Sequence, residues 1–374
     1  MTEWRIQNGT VLDPSRGMNQ AGEVRVSGER IVADDPESAT AIDASGCLVC
    51  PGLIDYHLHV YAGGTEIGTP ADAGLLPQGV TTAVDAGSAG PVNYAHFSET
   101  VIARSAVRVL SVLNVSSAGL VTVRYPENVD PRHYDLEASA RLLERYRGEL
   151  LGLKVRQGKE IVAGLGLEPL RSTLRMADQL ACPVVVHVTN APCSQAELVD
   201  LLRPRDVFCH VFHGTGPTIF APDGSVLPAI RSARARGVIF DAANGWSHFS
   251  FASAQAALRQ GFLPDVISTD LTNRTVYKQP VFGLPFIMSK YLSMGMPLMD
   301  VVTATTSTPA RLIGMEKEIG TLAPGACADI AIFKKVERLV KLVDTQGVQW
   351  EGNTLLIPQL TMRAGTVLFR QIDF

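Results

Sequence analysis

The chain has 374 residues, of which 46% are hydrophobic and 19% charged, and its formal net charge is −4. This length allows two domains, or one barrel with an appendage. The charge balance lacks the basic surface of a nucleic-acid-binding protein, and no hydrophobic run approaches the ~18 residues that cross a bilayer. Because the first residues also lack the hydrophobic core of a signal peptide, we expect a soluble, cytoplasmic protein without nucleic-acid or membrane partners.

Short strands and turns fill the first part of the chain. Asn8, followed by glycine, interrupts the run over 4–12 as a turn would, and the alternation around Gly28 predicts a hairpin. Cys47 and Cys50 form a C-x-x-C pattern with no second pair and no helix start beside it. We therefore expect two buried thiols there, not a redox or zinc site.

The segment 51–59 holds the first candidates for chemistry. It is a hydrophobic run that ends in His57 and His59, and residues two apart in a strand point to the same face. Asp55 shares that face one layer below. Two imidazoles at the end of a rigid strand suit a zinc-like metal, although an isolated His-x-His can equally be a pair of core histidines.

Seven further hydrophobic runs follow, separated by helical stretches. Short runs rich in β-branched residues that alternate with helices are typical of parallel strands buried on both faces. Pro169 opens one helical stripe, and a capping box at Ser194 opens another. Eight strand–helix units predict an α/β fold, a (β/α)8 TIM barrel over 51–312. The seven runs are 80–85, 107–114, 150–156, 184–188, 207–212, 238–244 and 266–270.

Strand and turn patterns return after the barrel, in 320–333 and 354–369. Neither end of the chain has enough hydrophobic surface to fold alone. We therefore expect residues 1–50 and 313–374 to combine into one small β-sandwich domain beside the barrel.

Polar side chains stand at the ends of most barrel runs, where the catalytic groups of a (β/α)8 barrel lie. Lys154 is the unusual one, because an ammonium is repelled by metal cations, whereas a neutral amine can add CO2 and form a carbamate that bridges two cations. A lysine paired with a carboxylate, or one that forms a Schiff base, is the alternative. The strand-end candidates are His57, His59, Lys154, His187, His210 and Asp270.

These residues resemble the motifs of the binuclear amidohydrolase superfamily. The resemblance includes the P-G-L-I-D-x-H-x-H sequence of 51–59, the strand-end set and the flanks at 43–46 and 320–329. Further stretches are similar to the amidohydrolase/deacetylase subgroup, whose members remove acetyl groups from N-acetyl-D-amino acids and from acetylated α-hydroxy acids such as acetyl-(R)-mandelate. Those stretches are 84–90, 152–156, 261–265 and 283–298.

The resemblance implies a homo-oligomeric hydrolase with two divalent metal ions, with zinc as the expected metal, and a small carboxylate-bearing substrate. A hydroxide that bridges the metals would attack the amide or ester carbonyl, and Asp270 would take its proton and return it to the leaving group. The implied ligands are His57, His59 and Asp270 for the more buried metal and His187 and His210 for the other, bridged by Lys154 as its CO2-derived carbamate.

Three residues are candidates for substrate binding. Arg156, two residues beyond Lys154, faces the same way and could clamp a carboxylate, with a salt bridge to a neighbouring loop as the alternative. Asn114, at the end of the third run, could hydrogen-bond to substrate. His213 could contact substrate or cap a loop. His248 lies in a loop that differs from the one expected in relatives, and we expect it at the surface or behind the ligands.

Other functions compete with a deacetylase. A cyclic-amide hydrolase resembling dihydroorotase would use the same ligands, so only substrates separate the two. A non-catalytic scaffold resembling the dihydropyrimidinase-related proteins would have lost ligands, and this chain keeps all of them. A sugar-phosphate isomerase would need a phosphate-binding glycine loop near the last strands, which the sequence at 273–275 does not provide.

Overall fold

The structure, a computed structural model, describes residues 3–34 and 38–374. Two sheets organise these residues, and the first strands of the chain belong to a mixed sheet. These strands are β1 (Glu3–Asp13), β2 (Met18–Ser27), β3 (Arg30–Val32), β4 (Thr40–Asp43) and β5 (Cys47–Pro51).

Asn8 does not end β1. Its φ of 63° shifts the register with β2, so the residue forms a bulge within a continuous strand where a turn was predicted. Gly9 must be small, because a Cβ there would lie 2.8 Å from Cγ2 of Val49. The predicted hairpin at Gly28 is confirmed by the antiparallel pairing of β2 with β3.

A curled sheet of seven parallel strands forms the second sheet, and the strands follow one another in sequence order. Most of their residues are buried, as expected for parallel strands covered on both faces. The strands are β6 (Leu53–Leu58), β7 (Val80–Asp85), β8 (Arg108–Asn114), β9 (Leu150–Arg156), β10 (Val184–His187), β11 (Val207–Cys209) and β12 (Ile239–Asp241).

The predicted eighth strand, 266–270, is not a regular strand. Isolated parallel bridges join Val266 to β12 and Leu271 to β6, so this segment connects the two edges of the curled sheet. Asp270 has a φ of 52°, and a residue in the left-handed region cannot continue a strand ladder. The described residues therefore contain seven regular parallel strands where eight were predicted, with the eighth run in the expected place.

Helices separate the parallel strands. The predicted starts are confirmed, because Pro169 lies in the first turn of its helix and the Ser194 side chain accepts a hydrogen bond of 3.2 Å from the Glu197 N–H. None of the helices in the described part of the chain has the length and hydrophobicity to cross a membrane. The helices are α1 (Ala71–Leu75), α2 (Tyr94–Thr100), α3 (Leu136–Arg145), α4 (Lys159–Val162), α5 (Glu168–Leu180), α6 (Gln195–Val199), α7 (Pro228–Arg236), α8 (Phe251–Arg259), α9 (Leu284–Ser293), α10 (Leu298–Thr303) and α11 (Ser307–Leu312).

Three C-terminal strands complete the mixed sheet: β13 (Ile330–Val343), β14 (Gln349–Arg363) and β15 (Thr366–Arg370). β13 pairs antiparallel with β5, so both ends of the chain share this sheet, as predicted. The hydrogen bonds join its eight strands into one sheet, whereas a sandwich of two sheets was expected. The predicted domain boundaries stay predictions.

The mixed sheet has its own hydrophobic core, to which both ends of the chain contribute, with Ile6 and Val49 packed near Ile330. Phe333, on β13, belongs instead to the large core formed by the parallel strands and their helices. The sheet thus packs against the parallel strands. Cys47 and Cys50 are buried and free, as predicted.

Candidate metal centre

In both His57 and His59, Nδ1 contacts a supporting side chain and Nε2 points toward Asp270. Nδ1 of His57 lies 3.2 Å from a carboxylate oxygen of Asp241, and Nδ1 of His59 lies 2.9 Å from the Ser88 hydroxyl. Nε2 of His59 is then 3.3 Å from Oδ1 of Asp270, and Nε2 of His57 is 3.9 Å from it. Such second partners fix the orientation of a metal-binding imidazole. The three predicted ligands of the more buried metal therefore come together.

Two buried carboxylates hold the segment that carries Asp270. Asp55 accepts hydrogen bonds from the backbone N–H and the hydroxyl of Thr269, at 3.0 and 2.6 Å. Asp241 accepts one of 2.5 Å from the hydroxyl of Ser268. Burial raises the pKa of each carboxyl to about 7. Asp55 therefore positions Asp270 and does not itself face the ligands.

His187 and His210 form a second group, with ring centroids 4.6 Å apart. Nδ1 of His210 lies 2.7 Å from the carbonyl oxygen of Ala243. A carbonyl only accepts, so this nitrogen carries the proton and Nε2 keeps a free lone pair. Nε2 of His187 is buried without a hydrogen-bond partner in the described residues, as a nitrogen reserved for a metal would be.

The protonation of these rings also suits a metal. Burial lowers the pKa of His57, His187 and His210 well below its ordinary value, so all three rings are neutral at pH 7. Neutral imidazole is the form that binds metals, and zinc accepts both imidazole nitrogen and carboxylate oxygen. The donor atoms therefore fit divalent metal ions.

Lys154 lies among these groups on β9. Its side chain is buried, and Nζ is 3.4 Å from Nε2 of His57. In residues 3–34 and 38–374, no carboxylate oxygen lies within 4.0 Å of Nζ. The structure therefore does not show the alternative in which Lys154 is paired with a carboxylate.

Arg156 lines the same cavity from the end of β9. One of its guanidinium nitrogens is 2.9 Å from a carboxylate oxygen of Glu127, which is buried. The salt bridge considered as an alternative is thus present. Because Arg156 also faces the cavity, the pairing orients the guanidinium without removing it from the site.

Asn114 and His213 are not among the residues that line the cavity. The Asn114 amide donates to the Gly87 carbonyl at 3.1 Å and accepts from the Ser116 N–H at 2.9 Å. Nε2 of His213 is 3.2 Å from the Gln195 amide nitrogen. Both side chains connect loops, which does not favour the prediction that they bind substrate.

His248 lines the cavity, whereas we expected it at the surface or behind the ligands. Its ring centroid is 4.2 Å from that of His210 and 4.8 Å from that of His187. Its loop follows β12, and loops at the carboxyl ends of the parallel strands build the sites of barrel enzymes. This position was the one sequence signal that could have identified His248.

The cavity encloses about 120 Å³, and we call its polar lining the floor and the remaining lining residues, which lie in loops, the mouth. The metal-binding candidates and Arg156 form the floor. This size suits a small molecule, since cavities for drug-sized ligands measure roughly 300–1,000 Å³. The mouth is lined by Ile67, Leu120, Val123, Trp246 and Thr272.

Glu66 connects the loops around this mouth. Its carboxylate lies 2.6 Å from a guanidinium nitrogen of Arg274 and accepts hydrogen bonds from the Thr122 hydroxyl, at 2.9 Å, and the Val123 N–H, at 3.1 Å. The Arg274 guanidinium in turn lies 4.5 Å from the ring centroid of Trp246. We call this set the Glu66 clasp. It joins segments distant in sequence, which no local pattern predicts.

The family follows from comparison with known proteins. A family model described as the amidohydrolase family matches residues 216–363. A deacetylase from Agrobacterium fabrum is 36% identical over 331 residues, which cover 87% of this chain and 79% of that protein. The chain belongs to the amidohydrolase family. A deacetylase from Brucella anthropi is 35% identical over 343 residues, covering 90% of this chain and 83% of that protein.

Solved amidohydrolase structures with TIM barrels share the fold of this family member. The crystal structure of an adenine deaminase superposes with a TM-score of 0.91 at 25% identity, covering 99% of this chain and 100% of that one. A dihydroorotase structure gives a TM-score of 0.90 at 31% identity, covering 98% and 97%. Because these neighbours carry different names, the shared fold does not define the substrate. Family membership supports a hydrolase, and the candidate ligand groups support metal binding.

Proposed function

We propose that the chain is a deacetylase that cleaves the acetyl (acyl) amide or ester bond of a small carboxylate-bearing substrate, such as an N-acetyl-D-amino acid or acetyl-(R)-mandelate. The observation that carries this proposal is one small cavity that holds both the metal-binding groups and the guanidinium of Arg156. The deacetylase names of relatives at 35–36% identity over most of the chain support it.

Two divalent metals, with zinc expected, would occupy the cavity floor. When bound, they would lower the pKa of water and polarise the acyl carbonyl. A carbamate on Lys154 would add an anionic group between them, and the described residues place no carboxylate beside Nζ that would compete with this reaction. One metal would be held by His57, His59 and Asp270, and the other by His187 and His210, with the Lys154 carbamate shared.

Asp270 is the candidate proton carrier. Its Oδ1 faces His59, whereas Oδ2 has no partner closer than Nε2 of His248, at 3.8 Å, in the described part of the chain. Oδ2 would accept a proton from water and return it to the leaving nitrogen or oxygen. The hydrogen bonds of Asp55 to the preceding residue hold this carboxylate in place.

Acetate release by zinc-loaded protein tests the proposal. The substrates are paired D and L N-acetyl amino acids with (R)- and (S)-acetyl-mandelate. We expect turnover of one enantiomeric series. Absence of acetate from every substrate, with two metals bound per chain, would remove the deacetylase function.

Arg156 is proposed to bind the substrate carboxylate. Loss of a charged hydrogen-bonded pair costs about 1.5–3 kcal/mol, so we expect Arg156→Met to raise KM for the preferred N-acetyl amino acid by roughly 10–100-fold. The matching N-acetyl amino amide serves as a neutral control and should be affected far less. Arg156→Lys keeps the charge beside Glu127 and should lie between. An unchanged KM in Arg156→Met would contradict this role.

A cyclic-amide hydrolase is the second candidate, favoured by the dihydroorotase structure at 31% identity over nearly the whole chain. Ring opening of dihydroorotate and hydantoins without acetate release would establish it. The complete set of ligands in one cavity argues against a non-catalytic scaffold. A cytoplasmic location and a homo-oligomeric state stay predictions, and light scattering tests the second.

A further inference from the structure

His248 belongs to a cluster that the expected ligand set does not include. One ring nitrogen each of His187, His210 and His248 lies within 4.8 Å of the other two. Only 13% of the His248 side chain is exposed, and its ring packs against both neighbours. Three histidines around one point form a well-known type of zinc site, with a position left for water or substrate.

The loop that carries His248 is shaped to approach the ligands. Gly245 has a φ of 56°, and a Cβ there would lie 2.4 Å from Oδ2 of Asp270 and 2.8 Å from Cδ2 of His248. Only glycine fits so close. Backbone hydrogen bonds of 3.2 and 2.9 Å tie Asn244 and Gly245 to the segment that precedes Asp270. The loop is thus anchored to the segment that carries Asp270, close to the metal-binding candidates.

The other contacts of His248 do not account for its position. Its Nε2 is 3.8 Å from Oδ2 of Asp270, too long for a hydrogen bond. The Ser247 hydroxyl lies 3.1 Å from Nε2 and 3.4 Å from Nδ1, but Ser247 is exposed and its hydroxyl can rotate to water. A mostly buried ring that faces two histidines, one of which has a nitrogen without a partner in the described residues, is what a third ligand requires.

We infer that His248 is a third histidine ligand of the metal held by His187 and His210, supplied by the loop after β12. This inference rests on the proposed metal centre but not on the identity of the substrate. It also gives the loop a function: Trp246, two residues earlier, lines the mouth, so binding of this metal would fix one wall of the substrate cavity.

Cobalt binding tests the inference without any substrate. Metal-free protein is titrated with Co2+ in competition with a chelator, and the visible d–d spectrum is recorded for wild type, His248→Ala and His248→Asn. His133→Asn, at an exposed histidine, is the matched control. Supporting partners of metal ligands alone contribute about 10–100-fold in affinity. We therefore expect the second Co2+ to bind at least ~100-fold more weakly in both His248 variants, with an altered d–d band, and the first to be unaffected.

The outcomes separate this inference from the proposed function. Two cobalt ions that bind His248→Ala or His248→Asn as tightly as wild type, with an unchanged spectrum, would overturn it and leave the deacetylase proposal intact. Wild type that binds only one cobalt would overturn the binuclear centre as well. Should both variants misfold, a crystal structure of cobalt-loaded wild type decides, because a ligand nitrogen of His248 must lie about 2.1 Å from the metal.

Discussion

Two buried lysines, Lys290 and Lys154, differ in the hydrogen-bond partners that surround their amines. Lys290, on α9, donates to the carbonyl oxygens of Pro280 and Val343, at 2.6 and 2.8 Å, and its Nζ lies 5.2 Å from the ring centroid of Phe249. Lys154 has one polar neighbour within hydrogen-bond distance in the described residues, the ring nitrogen of His57. Two equally buried lysines can therefore have very different surroundings. The decisive difference is whether the protein supplies acceptors for their N–H groups.

Lys290 lies where a helix that covers the parallel strands packs against the mixed sheet. α9 packs beside β14, where the Ser289 hydroxyl accepts a hydrogen bond of 3.0 Å from the Leu356 N–H. A neutral amine has two N–H donors, which match the two carbonyl acceptors. Lys290 thus fastens α9 to the end of β13, whereas Lys154 lines the cavity.

Replacement of Lys154 should have the largest effect. We expect Lys154→Ala to lower kcat/KM by on the order of 10⁴-fold, because the bridging anion disappears. Propionate should restore part of the activity, since a small carboxylate fits the vacated space and supplies the two oxygens. Lys159→Ala, at an exposed lysine that begins α4 and does not line the cavity, serves as the control.

Lys154→Ala and Lys290→Met, one variant at each buried lysine, test the carbamate directly. Protein loaded with zinc and ¹³C-bicarbonate should give a carbamate ¹³C resonance in wild type and in Lys290→Met but not in Lys154→Ala. A Lys154→Ala protein that keeps both metals and its activity would show that Lys154, like Lys290, has no role in the chemistry.

How well the site could be predicted depends on what carries each residue. A strand fixes the direction of alternate side chains, so spacing placed His57 and His59 on one face. Lys154 was assigned to the same cavity because it stands at the end of another strand of the predicted barrel. Loops have no such periodicity. His248 was therefore missed, although it lies as close to the other histidines as they lie to one another.

Where the structure differs from a prediction or does not favour it, the physical cause is local. Asn114 ends a strand near the cavity, but its amide is used by the backbone of adjacent loops, a contact between segments that spacing does not reveal. Asn8 has a positive φ and forms a bulge where a turn was expected. Asp270 also has a positive φ and lies outside a regular strand, where a strand end was expected. Asparagine and aspartate tolerate this conformation better than most residues, and only the surrounding fold decides whether they adopt it.

Lys290 should make the free energy of unfolding depend on pH. Burial lowers the pKa of Lys290 to about 7, whereas a lysine in an unfolded chain titrates near 10.4. Between these values the unfolded state binds more protons, so the free energy of unfolding gains a contribution that rises with pH. From pH 7 to pH 9, this free energy in wild type should rise by about 2 kcal/mol relative to Lys290→Met.

Urea unfolding of the metal-free proteins at both pH values measures this difference. Lys159→Met, at an exposed lysine, should follow wild type at both. If wild type and Lys290→Met differ in free energy of unfolding by the same amount at pH 7 and pH 9, Lys290 stays charged. The two lysines would then differ only in their hydrogen-bond partners.

The smallest expected effect is at the Glu66 clasp, which lies at the mouth and not on the cavity floor. An exposed ion pair contributes little because solvent screens it, so Glu66→Gln should raise KM by no more than about fivefold and leave kcat nearly unchanged. Glu337→Gln, at an exposed glutamate on β13, is the matched control. A fall in kcat without a change in KM would contradict this assignment, because it would mean that Glu66 affects the reaction itself and not substrate binding at the mouth. A rise in KM alone would show that the loops order the mouth while the strands hold the reacting groups.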